Sequence, residues 1–147
     1  MSCHMSASQV LRSAGYRLTP QRLFILEAVY HLGGHVTAEQ VLEYVQRTYP
    51  YVDLSTVYRA LELFVSLGLI RRFSAAGRPN EYEVATVEPH HHLVCQGCGK
   101  VETVPAALLS EALEQVAKHY GFALETVHMA LPGLCADCQA QDNEQEE

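Results

Sequence analysis

The chain has 147 residues, of which 48% are hydrophobic, and it carries a net charge of −7. This length suits one large domain or two small ones, and the composition predicts a folded chain. No apolar run reaches the roughly 18 residues that a membrane helix needs, and the start of the chain lacks the basic and apolar stretches of a secretory signal. We therefore expect a cytoplasmic protein with no membrane partner.

The acidic charge lies almost entirely in the second half of the chain. Residues 1–84 carry eight Arg and no Lys against seven acidic residues, a net charge of +1, whereas residues 85–147 carry two Lys against ten acidic residues, a net charge of −8. The Debye length at physiological salt is about 8 Å, so the distant acidic half does not prevent an arginine cluster from binding phosphate. The net charge therefore does not exclude a nucleic-acid partner.

Helical periodicity and capping residues predict three helices at the start of the chain. Residues 7–15 form a short amphipathic helix. Thr19 and the proline after it begin a second helix over about 20–32. Thr37 and Gln40 have the spacing of a capping box, which begins a third helix that ends near Thr48.

A fourth helix and two short strands follow. Ser55 is the expected N-cap of a helix that closes at Gly68 and has apolar residues at helical spacing. The segments LIRRFS and NEYEVA then predict two strands around a turn that contains glycine and proline. Helices followed by a two-stranded hairpin are the order of a winged helix-turn-helix, in which the last helix enters the DNA major groove.

The second half contains further strands and one helix. Strands are expected on both sides of the first cysteine pair and over residues 122–131, with a helix over residues 106–119. The predicted fold class is α+β, with an N-terminal winged helix-turn-helix followed by a small α/β domain that holds a four-cysteine zinc site. The predicted segments are a DNA-binding domain at 1–85, a hinge at 86–89, a metal-binding domain at 90–140 and a disordered acidic tail at 141–147.

Four of the five cysteines form two Cys-x-x-Cys pairs. Cys95 and Cys98 make the first pair, and Cys135 and Cys138 make the second pair 40 residues later. Four thiolates complete a tetrahedral sulfur site and leave no position open for water, which is typical of structural zinc. Two redox dithiols or buried free cysteines are the alternative, and Cys3 is given no role.

A second group of candidate metal ligands lies around the motif HHHLVC. If this segment is extended, His90 and His92 project to one face and His91 projects to the other. Glu83, on the preceding strand, and His35, between the second and third helices, are the candidates to complete a site. Imidazole with carboxylate suits divalent iron, manganese or zinc. The ordinary alternatives are a histidine that caps a helix and a solvated glutamate beside a hairpin.

The fourth helix carries the candidate DNA contacts. Arg59 can bind phosphate or guanine, and Tyr58 can place its ring against a thymine methyl group. Ser55 and Thr56 lie at the helix N-terminus, where backbone N–H groups favour phosphate. Arg17, in the loop before the second helix, can reach into a minor groove. An ordinary amphipathic helix with a surface arginine is the alternative.

The sequence resembles the ferric uptake regulator family over about residues 8–138. The segments that carry the resemblance occur in the family's order and spacing: GYRLTPQR, HVTAEQV, DLSTVYRALELFVSLGLI, EYEVA, HHHLVCQGCGKV and GLCADC. The resemblance implies a homodimer, joined through its C-terminal dimerisation domain, that binds an inverted-repeat operator in double-stranded DNA when loaded with metal. It implies release of the DNA when the metal is lost or a sensing ligand is oxidised. We expect neither enzyme activity nor a small organic substrate, because no phosphate loop or nucleophile motif is evident in the sequence.

The resemblance also assigns roles to individual residues. The family's structural zinc site falls on the four paired cysteines. Its regulatory site, between the DNA-binding and dimerisation halves, falls on His35, Glu83, His90 and His92. Metal bound there is expected to clamp the two halves so that both recognition helices of the dimer fit successive major grooves.

Two departures from the family pattern concern metal ligands. The family's frequent fifth carboxylate ligand falls at Thr103, with Glu102 one residue earlier, so either a four-ligand site or a shifted strand with Glu102 as a further ligand is expected. A further site of some members needs an acid or an imidazole at each of four positions, which here are Pro89, His91, Ser110 and Val127. Only His91 is suitable, and Glu111 and His128 each lie one residue away, so we do not expect that site.

The residue types at two ligand positions bear on which metal is sensed. Zinc sensors of the family commonly place a cysteine near Glu83, and its absence here favours iron. Peroxide sensors typically have Asp at that position and at Thr103. We therefore predict an iron(II)-responsive repressor, with a zinc-, manganese- or peroxide-sensing member as the alternative. Outside the family, the alternatives are a zinc-ribbon interaction module and a metal-dependent hydrolase, although no general acid or base is evident beyond the ligands.

Overall fold

The structure is a computed structural model that describes residues 3–85, 88–124 and 128–145. It divides into two compact units, Met1–Val87 and Glu88–Glu147, which we call the N-terminal and C-terminal units. The first two residues of the predicted hinge lie outside the described part of the chain. Among the described helices, none has the length and apolar character that crossing a bilayer requires.

The described residues of the N-terminal unit form four helices, which are α1 (Cys3–Ser13), α2 (Pro20–Leu32), α3 (Ala38–Gln46) and α4 (Leu54–Ser66). Thr19 caps α2 by accepting a hydrogen bond from the backbone N–H of Arg22. Thr37 and Gln40 form the capping box of α3, with hydrogen bonds in both directions. Both predicted caps are therefore confirmed, and they fix where the second and third helices begin.

The fourth helix begins earlier than predicted. Its N-cap is Asp53, whose carboxylate accepts a hydrogen bond from the backbone N–H of Thr56 at 2.8 Å, so the prediction of Ser55 as the cap is wrong. Asp and Ser are about equally good caps, so residue type alone does not decide between them. The preceding turn, in which the N–H of Val52 donates to the carbonyl of Tyr49, leads directly into Asp53.

Three short strands form the sheet of the N-terminal unit in the order β1-β3-β2, and they are β1 (Val36–Thr37), β2 (Ile70–Phe73) and β3 (Glu81–Val84). β2 and β3 are the predicted hairpin. β1 is an addition to the predicted fold and pairs antiparallel with β3, with Val36 opposite Tyr82. The unit is a winged helix-turn-helix, with α3 and α4 as the helical pair and the hairpin as the wing.

The C-terminal unit is built on a second three-stranded sheet, in which β4 lies between β5 and β6. β4 pairs antiparallel with β5 and parallel with β6. The elements in chain order are β4 (His90–Cys95), β5 (Val101–Pro105), a 3-10 turn (Ala106–Leu109), α5 (Ser110–Tyr120), β6 (Ala130–Gly133) and α6 (Ala136–Gln145). The α+β fold class is confirmed.

Two elements of the C-terminal unit differ from the sequence-based expectation. The strand expected over residues 122–131 begins only at Ala130; residues 122–124 have no regular structure, and residues 125–127 lie outside the described chain. The segment expected to be disordered from residue 141 instead continues α6 to Gln145. The alanines and glutamines of α6 are good helix formers, and Asp137 in its first turn complements the helix dipole.

The apolar cores of the two units differ greatly in size. Among the described residues, every buried apolar side chain except those of Val94 and Cys95 belongs to the N-terminal unit. Burial of apolar surface contributes about 25 cal/mol per Å², so the N-terminal unit has its own source of stability. The C-terminal unit, with so small a core, needs stabilisation from elsewhere.

Candidate metal centre and nucleic-acid interface

The four paired cysteines of the C-terminal unit come together in one cluster. Their sulfur atoms all lie within 4.8 Å of one another, and the Sγ atoms of Cys98 and Cys135 are 3.8 Å apart. Tetrahedral zinc with Zn–S bonds of about 2.3 Å places its sulfur ligands about 3.8 Å from each other. The cluster therefore fits a four-thiolate zinc site, and none of the four sulfurs is consumed in a disulfide.

Two tight turns build this cluster. Cys95 ends β4, and the N–H of Gly99 donates to its carbonyl at 2.9 Å, which closes the turn that carries Cys98. Gly97 in this turn lies against the second cysteine pair, because a Cβ atom there would be 2.8 Å from Sγ of Cys138. The sequence CQGC therefore needs a glycine at this position as well as its two cysteines.

The electrostatics of the cluster also favour a cation. Backbone N–H groups, first that of Cys135 and then that of Cys98, lower the pKa of the Cys95 thiol to about 6, so this sulfur is a thiolate near neutral pH. Hydrogen bonds with the neighbouring sulfurs, first that of Cys135, raise the pKa of Cys138 to about 12. A bound divalent cation would favour all four thiolates at once, because it offsets their mutual repulsion.

In the N-terminal unit, the pairing of β1 with β3 brings His35 to Glu83. His35 directly precedes β1, and the β1–β3 register places it opposite Glu83. Its Nε2 lies 2.9 Å from an oxygen of the Glu83 carboxylate, which is buried. The hydrogen bond with Glu83 raises the pKa of His35, although burial opposes the shift. An imidazole nitrogen and a carboxylate oxygen are thus held within reach of one metal ion.

Glu81 contacts the other nitrogen of the His35 ring, and this residue was not predicted from the sequence as part of the site. One of its oxygens lies 3.3 Å from His35 Nδ1, and the other lies 3.4 Å from the guanidinium of Arg78. A carboxylate on Nδ1 fixes the tautomer in which Nε2 is the ligand, an arrangement common around metal-binding histidines. The alternation of Glu81, Tyr82 and Glu83 could have predicted both glutamates on one face.

In the C-terminal unit, His90 and His92 share one face of β4, as the alternation predicts. Their ring centroids are 4.8 Å apart. His128, just before β6, packs against both rings, with centroid distances of 4.9 Å to His90 and 4.7 Å to His92. The predicted pair of imidazoles is therefore joined by a third imidazole that the sequence did not place there.

Glu102 does not lie with these histidines. It is opposite Leu93 in the β4–β5 register, whereas Thr103 is opposite His92. The side chain of Glu102 therefore lies on the other face of the sheet, where it pairs with Lys100. The geometry does not support Glu102 as a further ligand, and the hydroxyl of Thr103 instead lies 3.4 Å from His92 Nδ1.

A cleft at the N-terminal end of α4 gathers three arginines. Arg17, Arg22 and Arg59, together with Thr56, line a cavity of about 480 Å³. Arg22 donates to the carbonyl of Arg17 at 2.8 Å, and Arg59 lies 3.4 Å from the hydroxyl of Thr56. Guanidinium groups beside a helix N-terminus attract phosphate. Three of the predicted DNA contacts thus come together, and Arg22, in the same GYRLTPQR segment as Arg17, joins them.

The other two predicted DNA contacts lie outside this cleft. Ser55 is exposed in the first turn of α4. Tyr58 is partly buried against the core of the unit. Burial and the nearby Glu39 carboxylate of α3 raise the pKa of Tyr58, so its hydroxyl faces α3. Tyr58 therefore contributes to the packing of the helix pair.

Comparison with known proteins agrees with this architecture. The profile of the ferric uptake regulator family matches residues 13–132. The chain is 31% identical to the ferric uptake regulation protein of Campylobacter jejuni, over 90% of this chain and 86% of that protein. It is 30% identical to the peroxide operon regulator of Bacillus subtilis, over 93% of this chain and 94% of that protein.

A solved structure of a zinc uptake regulator complexed with zinc and DNA is also similar to this fold. It has a TM-score of 0.64 and 26% sequence identity, and the match covers 95% of each chain. The matched residues include the arginine cleft, the His35–Glu83 pair, the three clustered histidines of the C-terminal unit and the first cysteine pair. With the winged helix-turn-helix and the four-cysteine cluster in place, these matches show that the chain belongs to the ferric uptake regulator family.

Proposed function

We propose that this chain is a metal-dependent DNA-binding transcriptional repressor that responds to iron(II) and binds an inverted-repeat operator as a homodimer. One observation carries the proposal: each unit brings two candidate metal ligands close together. The N-terminal unit provides His35 and Glu83, and the C-terminal unit provides His90 and His92. A transition metal that takes all four ligands would link DNA binding to metal supply.

The arginine cleft of the N-terminal unit supports a DNA partner. Its guanidinium groups lie beside the first turn of α4, so this helix is proposed to enter the major groove with Arg59 at a base or a phosphate. Arg17 is proposed to contact the adjacent backbone or minor groove. Ser55 and Thr56 add the helix N-terminus as a phosphate site. Binding of this kind weakens steeply as salt rises, because counterions are released from the DNA.

The donor chemistry supports iron(II) as the regulatory metal. Imidazole and carboxylate suit iron(II), and neither ligand pair contains a thiolate that would select zinc. The four cysteines are proposed to hold a separate structural zinc ion. The relatives are named for ferric uptake, for peroxide and for zinc uptake, so zinc, manganese and peroxide sensing are the alternatives.

The surface of the C-terminal unit supports a homodimer. No residue of α5 is buried, although its apolar residues recur at helical spacing. Leu108, Tyr120 and Phe122 are 70%, 79% and 63% exposed. Large apolar side chains this exposed mark an interface, and two-fold symmetry would let two copies of α4 read two half-sites.

Metal-titrated DNA binding tests the proposal. The protein, purified with zinc in the cysteine site, is titrated anaerobically with iron(II), manganese(II) or zinc(II). Its affinity for a palindromic AT-rich duplex is followed by fluorescence anisotropy. We expect iron(II) to switch on tight binding, and a later peroxide challenge separates iron sensing from peroxide sensing. Activation by zinc alone, at far lower concentration, would replace iron by zinc, and affinity that no metal changes would refute the proposal.

Replacing His90 by alanine tests the regulatory ligands. We expect the variant to keep one zinc ion and its fold but to lose metal-activated DNA binding, because one imidazole ligand is gone. His119→Ala is the matched control: it makes the same change in the same unit, at an exposed ring that bonds the carbonyl of Gln115. Full metal activation in His90→Ala would contradict the assignment.

A further inference from the structure

The C-terminal unit brings three imidazole rings to one point. We propose that His90, His92 and His128 form a tris-imidazole site for a divalent transition metal, in which His128 is a metal ligand. This inference rests on the proposed function and adds a ligand to its regulatory ion. It also implies that the C-terminal unit can hold a metal ion without the ligands of the N-terminal unit.

The mutual orientation of the rings is the first support. The interplanar angles are 86° for His90 with His92, 90° for His90 with His128, and 89° for His92 with His128. The ligand nitrogens lie within 4.8 Å of one another. Three imidazoles on one side of a metal ion can be perpendicular in pairs in this way, with one nitrogen of each ring close to the other two.

The hydrogen bonds around the rings leave nitrogens suited to a metal. Nδ1 of His90 lies 2.7 Å from the carbonyl of Glu88, which can only accept, so Nδ1 carries the proton and Nε2 has the lone pair. Nε2 of His92 lies 2.7 Å from Nε2 of His128, so without metal these two nitrogens share one proton. If His92 held a metal ion through Nε2, it would carry its proton on Nδ1, which lies 3.4 Å from the Thr103 hydroxyl and could donate to it.

The fit requires only a small opening of the cluster. Metal–nitrogen bonds of about 2.0 to 2.1 Å place neighbouring ligand nitrogens roughly 3 to 3.4 Å apart. The His92–His128 pair, at 2.7 Å, is slightly tighter than this. Rotation of the His128 ring, which is only partly buried, can supply the difference.

The fold fixes His128 in this place through its neighbour Met129. The N–H of His92 donates to the carbonyl of Met129 at 2.8 Å, and the N–H of Met129 donates to Nδ1 of His91 at 3.2 Å. The β4–β6 register then sets Ala130 opposite His92. Two hydrogen bonds and one strand pairing therefore hold the backbone next to His128, and His91 acts as a positioning residue from the opposite face.

Cobalt(II) titration of the full-length, zinc-loaded protein tests this site. Cobalt(II) reports its own ligands through visible d–d absorption, and thiolate-to-cobalt bands in the near ultraviolet would reveal any exchange at the cysteines. We expect His128→Ala to weaken cobalt(II) binding by about 100-fold or more, since loss of an outer-shell partner alone costs 10- to 100-fold. The d–d spectrum of the residual complex should also change.

Three controls separate the possible outcomes. His119→Ala should bind cobalt(II) as the wild type does. His35→Ala removes a ligand of the N-terminal unit, so it should weaken cobalt(II) binding and lose DNA activation. Cobalt(II) should still bind that variant through the three imidazoles, and adding His128→Ala should weaken the residual binding further. His128→Gln, which keeps a polar side chain of similar length, replaces His128→Ala if that variant does not fold.

Unchanged cobalt(II) affinity and spectrum in a folded His128 variant would overturn this inference while leaving the proposed function standing. A different result would uphold the site but refute the proposed function. In that case the His128 variant loses cobalt(II) binding, and the DNA affinity of the unaltered protein does not change with any metal.

Discussion

Replacing Cys98 by serine should destabilise the C-terminal unit and lower its zinc content together. This unit buries only Val94 and Cys95 among its described apolar side chains, so a metal ion held by the four cysteines would add substantially to its stability. Zinc would cross-link Cys98 to Cys135, which are 37 residues apart in sequence. By the chain-entropy estimate, closing a loop of that length contributes about 4 kcal/mol.

The size of the effect follows from the size of the unit. In a unit of about 60 residues, 1 kcal/mol shifts the melting temperature by roughly 4 to 8 °C. Full loss of the cross-link should therefore lower the melting temperature of the C-terminal unit by roughly 15 to 30 °C. The N-terminal unit, which has its own apolar core, should melt much as before.

Calorimetry with metal analysis of the same samples measures both quantities. Cys3→Ser is the matched control, because it makes the same chemical change at a cysteine outside the two pairs. A Cys98→Ser protein that holds no zinc but melts like the wild type would refute the structural role. A variant with full zinc content would instead show that Cys98 is not a ligand.

Two further substitutions test the N-terminal unit. Arg59→Ala should weaken operator binding by roughly 1 to 3 kcal/mol if the arginine reads a base, with unchanged metal content; equal affinity in an anisotropy titration would exclude the contact. Asp53→Ala should lower the melting temperature of the N-terminal unit, because it removes the N-cap of α4, whereas Asp53→Asn should preserve it. If both Asp53 variants melt alike, the side-chain cap does not stabilise the helix.

Local signals in the sequence were sufficient for most helices of the N-terminal unit. Thr19 followed by proline, and the capping box of Thr37 and Gln40, depend on residues three apart, so the sequence alone specifies them. The start of α4 was misplaced because Asp53 and Ser55 are both good caps. The choice between them depends on the turn that precedes the helix.

Long-range pairing is what the sequence could not show. β1 has only two residues, too few for a periodic pattern, yet its pairing with β3 is what places His35 beside Glu83. His128 meets His92 across 36 residues, through a parallel strand pairing that no local motif encodes. The four cysteines could be predicted as zinc ligands because each Cys-x-x-Cys pair is recognisable within four residues of sequence.

Coordination number, more than donor type, can favour iron at the proposed regulatory centre. By the Irving–Williams order, an imidazole-rich site binds zinc more tightly than iron(II), so these donor types suit iron(II) but do not by themselves select it over zinc. Zinc in proteins is usually four-coordinate, whereas non-haem iron(II) commonly accepts more ligands and leaves positions open. The proposed ligands number five, namely His35, Glu83, His90, His92 and His128. Five ligands impose on zinc a coordination number that it disfavours. As the fifth ligand, His128 would therefore reduce the difference in affinity by which imidazole donors favour zinc over iron(II).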